Sequence, residues 1–389
     1  MKKNKPVVLM LFFTAILCFA FEGGGLLKTG IGFDIKKPSL PDSKTSLTLN
    51  HYDGITVWAK QNMDKSGNFN FNVQGSYLFS LKKDLKPKNE KAVLKHILDI
   101  ELLKFSFFLP VTSKRNISIE FGRYGLTDIT KTVLDQQMDG VFISYTQPDF
   151  SCFFNLGYTG LLNAHTVQIN SRNKTKNTNI YRLSPSFFQI SGLFHVPAGK
   201  ENHSIDFEVN SFIETKKAGA SRTYFILSAN GPIMPNLFFI LSAAGGLMSA
   251  EKSLKPGFFV NGELNYYFDR YGAKIGGKTQ WFSGGKFSFD TFTKTSASKM
   301  LFIGYSDLLK AGFNFSIKPI NDLFIGSDFG IFCKGLHQKG QKFFTGFEWT
   351  AYLGYTLFED ISFGFDTGIF IDKNKNVDSK IDLKGTVSF

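Results

Sequence analysis

Apolar and polar residues alternate with a period of two along most of the chain after residue 21. No window there carries an apolar stripe of helical period. From Asn68 to Lys82, one face takes Phe69, Phe71, Val73, Gly75, Tyr77, Phe79 and Leu81, and the other takes Asn68, Asn70, Asn72, Gln74, Ser76 and Lys82, with Leu78 the exception. In Asp360 to Asp372, Ile361, Phe363, Phe365, Ile369 and Ile371 oppose Ser362, Gly364, Asp366 and Gly368. At the end of the chain, Ile381, Leu383, Val387 and Phe389 oppose Lys380, Asp382, Lys384, Thr386 and Ser388. A strand turns successive side chains to opposite faces, so each segment predicts a strand with one apolar and one polar surface.

These segments run to about 10–14 residues, longer than the usual strand of about 5–6 and suited to a tilted strand that crosses a membrane. Their connections alternate in length. Tight turns at Gln147-Pro148-Asp149, Asp269-Arg270, Lys318-Pro319-Ile320-Asn321 and Glu359-Asp360 interleave with longer polar loops. The predicted strands fall near 25–35, 46–60, 67–82, 94–109, 115–124, 138–147, 151–160, 184–196, 203–216, 221–231, 235–248, 256–269, 270–282, 307–318, 321–334, 343–358, 360–372 and 379–389. They number about 18, an even count with both ends on one side, and sixteen is the nearest alternative. Charge parity shifts midway through 94–109, 235–248 is apolar on both faces, and 286–305 has room for a further hairpin. No repeat of fixed period points to a propeller or solenoid.

Composition narrows the class. Hydrophobic residues are 43%, aromatics 16%, with 45 Phe and 37 Gly, which excludes a disordered chain. Only the N-terminus approaches the roughly 20 consecutive apolar residues of a membrane helix. The net charge of +13 suggests nucleic acid, but the basic residues form neither one patch nor a helix stripe. The N-terminus also reads as an export signal. Lys2, Lys3 and Lys5 precede an apolar run from Val7 to Phe19, and Cys18-Phe19-Ala20 offers small residues for cleavage before Phe21. Residues 1–20 are therefore expected to be a signal peptide and 21–389 a single all-β transmembrane antiparallel barrel. Cys152 and Cys333 lie on separate predicted strands and are not expected to pair.

The apolar, alternating last strand ending on Phe389 resembles the C-terminal signature by which outer-membrane β-barrel proteins are recognised for insertion. With the leader and the loop asymmetry, the chain resembles porin-like outer-membrane barrels of diderm bacteria. Its abundant Lys, Asn and Phe are similar to those of AT-rich genomes, spirochaetes included. The resemblance implies embedding in outer-membrane lipid, insertion by barrel-assembly machinery, no cofactor, and either a monomer or an oligomer.

On the same parity the lumen wall is polar and mixed in sign, including Glu120, Glu208, Lys274, Lys278, Glu348 and Asp366. A barrel of about 16–18 strands is too wide for wall side chains to fill, so such a lining implies water. The long loops are basic. Lys82 to Lys95, Arg172 to Arg182, Lys216 to Arg222 and Lys334 to Lys342 are the clearest cases, and the outer loops together sum to roughly +18, which would attract anions. One loop is acidic. Phe121-Gly122-Arg123-Tyr124-Gly125-Leu126-Thr127-Asp128, then Asp139-Gly140-Val141, is similar to the stretch in porins and substrate-specific channels where a Gly-Arg strand end leads into the third outer loop. In that family the loop folds inward as the constriction. This resemblance makes Arg123, Asp128, Lys131 and Asp135 the candidate constriction, with Asp128 as the N-cap of a short helix to Gln137.

No His-Glu-x-x-His, Gly-x-Ser-x-Gly, Cys-x-x-Cys or phosphate-loop motif occurs, so no enzyme is expected. Passive passage of small hydrophilic solutes or ions is the expected function. A transporter of hydrophobic substrates such as fatty acids, or an adhesin or structural barrel, are the alternatives. Parity gives a direct test. Phe71→Lys or Phe365→Lys puts a charge toward lipid and should lower folding in bilayers by about 2–4 kcal/mol, whereas Asn72→Lys should fold as wild type. Equal folding yields from the two classes would contradict the assignment of faces.

Overall fold

The computed structural model describes residues 22–39, 45–86, 92–171, 180–199, 202–215, 221–250, 253–336 and 342–389. The leader and most of the basic loop tips lie outside the described residues. Eighteen strands form the wall. They are β1 (Glu22–Lys37), β2 (Ser46–Asn62), β3 (Phe69–Lys86), β4 (Val93–Thr112), β5 (Arg115–Thr127), β6 (Asp135–Gln147), β7 (Phe150–Tyr158), β8 (Phe187–Ala198) and β9 (His203–Glu214). They continue with β10 (Arg222–Met234), β11 (Leu237–Ala250), β12 (Ser253–Tyr267), β13 (Lys274–Phe282), β14 (Leu308–Ile320), β15 (Leu323–Lys334), β16 (Phe344–Leu357), β17 (Ile361–Asp372) and β18 (Val377–Ser388). Each pairs antiparallel with its neighbours in sequence, and β1 pairs with β18, so the sheet closes. Closure leaves no exposed ladder of unpaired backbone groups along an edge.

All eighteen predicted strands are present, and the stretch 286–305 is not a nineteenth and twentieth. It holds a single 3-10 turn, Gly285–Phe287, in a path that leaves the wall. The parity shift in β4 has a structural cause. Gln74 faces Leu102 and Gly75 faces Ile100, so Glu101 is skipped in the register. This β-bulge returns Glu101 to the lumen, where Gln74 and Ser76 donate hydrogen bonds to it.

The two faces differ as the alternation requires. Outward, Leu27, Phe154, Phe188, Phe313 and Phe363 stand exposed. Phe rings stack between strands, with Phe69 and Phe107 at 4.2 Å and Phe313 and Phe329 at 4.4 Å between centroids. Inward, one side of the barrel is packed solid. Phe187, Phe212, Tyr224, Ile226, Phe259, Phe282 and Phe332 face the lumen and are buried with Phe289 and Phe292 from the 283–307 connection. An empty 18-strand wall could not bury these rings, and the loop segment supplies what the wall side chains lack. Trp58 also faces the lumen, against Gly24, and so does not join an outward aromatic girdle. Trp281 and Trp349 point outward. Cys152 and Cys333 are free.

The seam between β1 and β18 runs to the last residue. The Gly25 amide donates to the Phe389 carbonyl at 2.8 Å and the Phe389 amide donates to the Gly25 carbonyl at 3.1 Å. The Phe389 ring covers Gly25 so closely that any Cβ there would strike it. Deleting Phe389 should lower the yield of heat-modifiable folded barrel while leaving export intact. Gly25→Val should act in the same direction through the ring. Normal yields from both would contradict the role given to this closure.

Candidate functional site

The lumen is filled unevenly, and side chains of the wall hold the filling in place. Three connections at one end of the barrel send described residues inward: 128–134, the part of 159–186 around Val167 and Gln168, and 283–307. Within 128–134, the Asp128 carboxylate accepts from the amides of Thr130 at 2.8 Å, Val133 at 2.8 Å and Leu134 at 2.7 Å. The segment is a closed turn and not the expected helix. Only seven residues separate the strands, and Lys131 sits at φ 53°, which breaks any helical run. Asp128 is 1% exposed, and burial pushes its carboxyl upward against these hydrogen bonds.

Two glutamates on the wall act as anchors. Glu208 of β9 accepts the Ile129 amide at 2.8 Å. Glu348 of β16 accepts the Met300 amide at 3.0 Å and the Ser298 hydroxyl. Lys310 of β14 donates to the Ala297 carbonyl at 2.6 Å. Arg222 of β10 is buried, not part of a solvated basic mouth. It donates to the carbonyls of Thr291 at 2.5 Å and Asn170 at 2.6 Å. The inserted segments also bind one another. The Phe292 amide donates to the Val133 carbonyl at 3.0 Å, and the Lys294 amide donates to the Gln168 carbonyl at 2.8 Å. The Phe292 ring stacks on Phe212 at 3.6 Å.

Arg123 lies elsewhere. β4 and β5 pair only from Leu103 and Arg123 toward their shared turn, and beyond that point they part. Gly122 at φ 118° permits the departure, since a Cβ there would strike the Leu103 carbonyl. Residues of the 159–186 connection fill the resulting gap in the wall. Leu98 donates its amide to the Ile180 carbonyl at 3.3 Å, and Asn163 donates to the Leu98 carbonyl at 3.0 Å. Arg123 ties the gap together, bidentate on Asp139 at 2.7 and 2.9 Å and donating to the carbonyls of Ile100 and Leu161, both at 3.0 Å. All its hydrogen-bond partners belong to the wall or to the connection that fills the gap.

Beside the packed core, part of the lumen stays open along β16–β18. A cavity of about 430 Å³ runs between Lys299 and Met300 of the inserted segment and Tyr352, Asp366, Lys380, Asp382 and Lys384 of the wall. Charges here are paired. Lys384 bonds Asp366, Lys299 bonds Asp328, and Lys380 meets Asp382 at 2.7 Å. On the flanking wall Lys104 meets Glu120 at 2.9 Å and Lys278 meets Glu263 at 3.7 Å. Lys274 lies over the Tyr267 ring. Of the expected constriction residues, Asp135 and Lys131 are exposed, and Asp135 lines a second cavity of about 510 Å³ with Gln136, Gln137, Gln168 and Lys294. Sequence reasoning gave no role to Lys299, Lys310 or Tyr352. The clue available was the stretch from Phe287 to Ile303, where Phe289 and Phe292 and the run Met300 to Ile303 fall outside any period-two alternation.

No protein-family model matches the chain, and no curated protein is significantly similar to it. Solved structures do share the fold. Pseudomonas aeruginosa OccK7 (OpdD) is similar at TM-score 0.63 and 12% identity, covering 94% of this chain and 99% of its own. Pseudomonas aeruginosa OccK5 (OpdH) follows at TM-score 0.62 and 11% identity, with 95% and 98% covered. A BenF-like porin from Pseudomonas fluorescens Pf-5 gives TM-score 0.61 and 12% identity, with 95% and 98% covered. The fold is thus a closed antiparallel barrel of eighteen strands shared along nearly the whole length of these proteins.

Asp128→Ala should free the amides of Thr130, Val133 and Leu134, each left without its carboxylate acceptor at a cost of about 1–3 kcal/mol. Hydrogen exchange at Thr130, Val133 and Leu134 should accelerate at least to the rate of exposed turns, and Lys131→Gln should leave it unchanged. Retained protection in Asp128→Ala would contradict the capping role.

Proposed function

We propose that the chain is a non-enzymatic outer-membrane channel for passive diffusion of small hydrophilic solutes or ions. In this reading residues 1–20 are a cleaved signal, 21–389 form the barrel, and barrel-assembly machinery inserts it into outer-membrane lipid. The observation that carries it is the charged cavity beside the inserted core, inside a wall whose outward face is apolar. An outward band of exposed Phe, Leu and Ile suits hydrocarbon, and a lumen lined by paired charges suits water. The likeness of fold to proteins named as porins supports the same reading.

Permeation here needs no chemistry. The wall supplies a wet path, and the inserted segments sort by size and charge. Paired Lys and carboxylate side chains along this path oppose the passage of fatty acids, whose chains would meet no apolar lining there. The basic loop tips, outside the described residues, would gather anions at the mouth. Asp135, on the cavity between the inserted segments, is the acid of the constriction that remains in contact with water.

Purified protein in a planar bilayer should give discrete ohmic openings. Replacing 296–303 by a short Gly-Ser linker should raise the unit conductance by removing Lys299 and Met300 from the path. Asp135→Asn should move the reversal potential toward anions, while Asp128→Asn should act on channel noise through its loop. A folded, inserted barrel with no conductance would overturn the channel reading.

A further inference from the structure

Two tyrosines of the lumen wall lie along the sheet instead of pointing across the barrel. Tyr352 of β16 stands opposite Gly326 of β15, and the end of its ring occupies the place where a Cβ on Gly326 would be. Tyr52 of β2 lies in the same way over Gly30 of β1. Trp58, on the same face of β2 and roughly 20 Å further along it, lies over Gly24 and is 42% exposed. A side chain at any of these glycines would push the ring off the wall. Tyr352 and Tyr52 are four strands apart, roughly 19 Å around the wall, and charges stand between them. Asp366 faces Tyr352 in the register, Lys384 faces Gly30, and Lys384 bonds Asp366.

This alternation of rings and ion pairs suits one class of solute. A ring laid along the wall offers its electron-rich face, which attracts the C–H groups on one side of a pyranose. The ion pairs remain within reach of water, with the side chains of Lys384 43% and Asp366 39% exposed. A sugar hydroxyl donates and accepts at once, so it bridges a carboxylate and its ammonium partner without separating them. A charged solute would have to take one partner from the other. Thr350, two residues from Tyr352 on the same face, lines the cavity of about 430 Å³ and is 7% exposed. Its hydroxyl has no hydrogen-bond partner among the described residues, and a sugar hydroxyl would supply one.

We propose that the open lumen is a track for neutral saccharides. The pyranose rings lie on Tyr352, Tyr52 and Trp58, and their hydroxyls bridge the Lys384–Asp366 and Lys380–Asp382 pairs. The inference rests on the channel reading above and adds the class of solute to it. The test records ion current through the full mature chain in a planar bilayer while maltotriose is added, with polyethylene glycol of equal mass and benzoate as comparisons. Maltotriose should lower the current saturably at concentrations where the other two leave it unchanged. Tyr52→Ala and Trp58→Ala should each raise the half-blocking concentration roughly three- to tenfold. Tyr52→Phe should not, nor should Phe154→Ala on the outward face, with heat-modifiable migration confirming that every variant is folded. A conducting channel that maltotriose blocks no better than the polymer, or that benzoate blocks more tightly, overturns the saccharide class and leaves the channel reading standing. Block by maltotriose that is unaltered in both Tyr52→Ala and Trp58→Ala overturns the role of the rings. A folded, inserted barrel that does not conduct overturns the channel reading and this inference together.

Discussion

Closure of the hydrogen-bonded sheet is the constraint on which everything else depends. Once β1 pairs with β18, every strand has two neighbours. Side chains can then point only into the lumen or away from it. The alternation along each strand therefore decides which residues can line a path and which must meet the surroundings. The bulge at Glu101 shows how tightly this holds, because one skipped residue restores the face of a strand whose sequence has slipped. The parting of β4 and β5 shows where the rule is relaxed. There the backbone groups are satisfied by Arg123 and by residues of the 159–186 connection.

Closure at this width creates a space that wall side chains cannot fill. The chain fills part of it with its own connections and leaves the remainder wet. Anchoring uses charged wall residues as hydrogen-bonding groups rather than as free charges. Glu208 and Glu348 hold backbone amides, and Lys310 and Arg222 hold carbonyls. Charges on the open side are instead matched in pairs, so the lining is polar with no long run of one sign. The same residue types thus do two jobs, and the inserted segments decide which.

Strand positions were legible because period-two alternation is local and repeats at every strand. It puts Glu120, Glu208, Lys274, Lys278, Glu348 and Asp366 on the polar face of their strands. Contacts between distant segments were not legible. Asp128 reads as an acid facing a pore, yet its partners are the amides of its own turn, and no spacing rule distinguishes the two. Arg123 sits next to Gly122 in a porin-like stretch, yet the positive φ of that glycine carries Arg123 into a gap in the wall. The 283–307 connection was the largest surprise. Its Phe289 and Phe292 are buried against Phe187, Phe212, Tyr224, Phe259 and Phe282, which come from five separate strands. Phe212 on β9 and Phe259 on β12 interrupt an otherwise polar lumen face, and the inserted segment explains them.

The central claim is that the lumen is solid on one side and wet on the other. Thiol accessibility measures this directly in the folded, membrane-inserted barrel. In a background free of Cys152 and Cys333, single cysteines at Asn72 and Lys384 on the open side should react rapidly with a small water-soluble thiol reagent. Cysteines at Ser228 and Ser242, which also face the lumen but are buried against the packed side, should be protected. Equal reactivity at all four positions would mean an evenly water-filled barrel and would contradict the account.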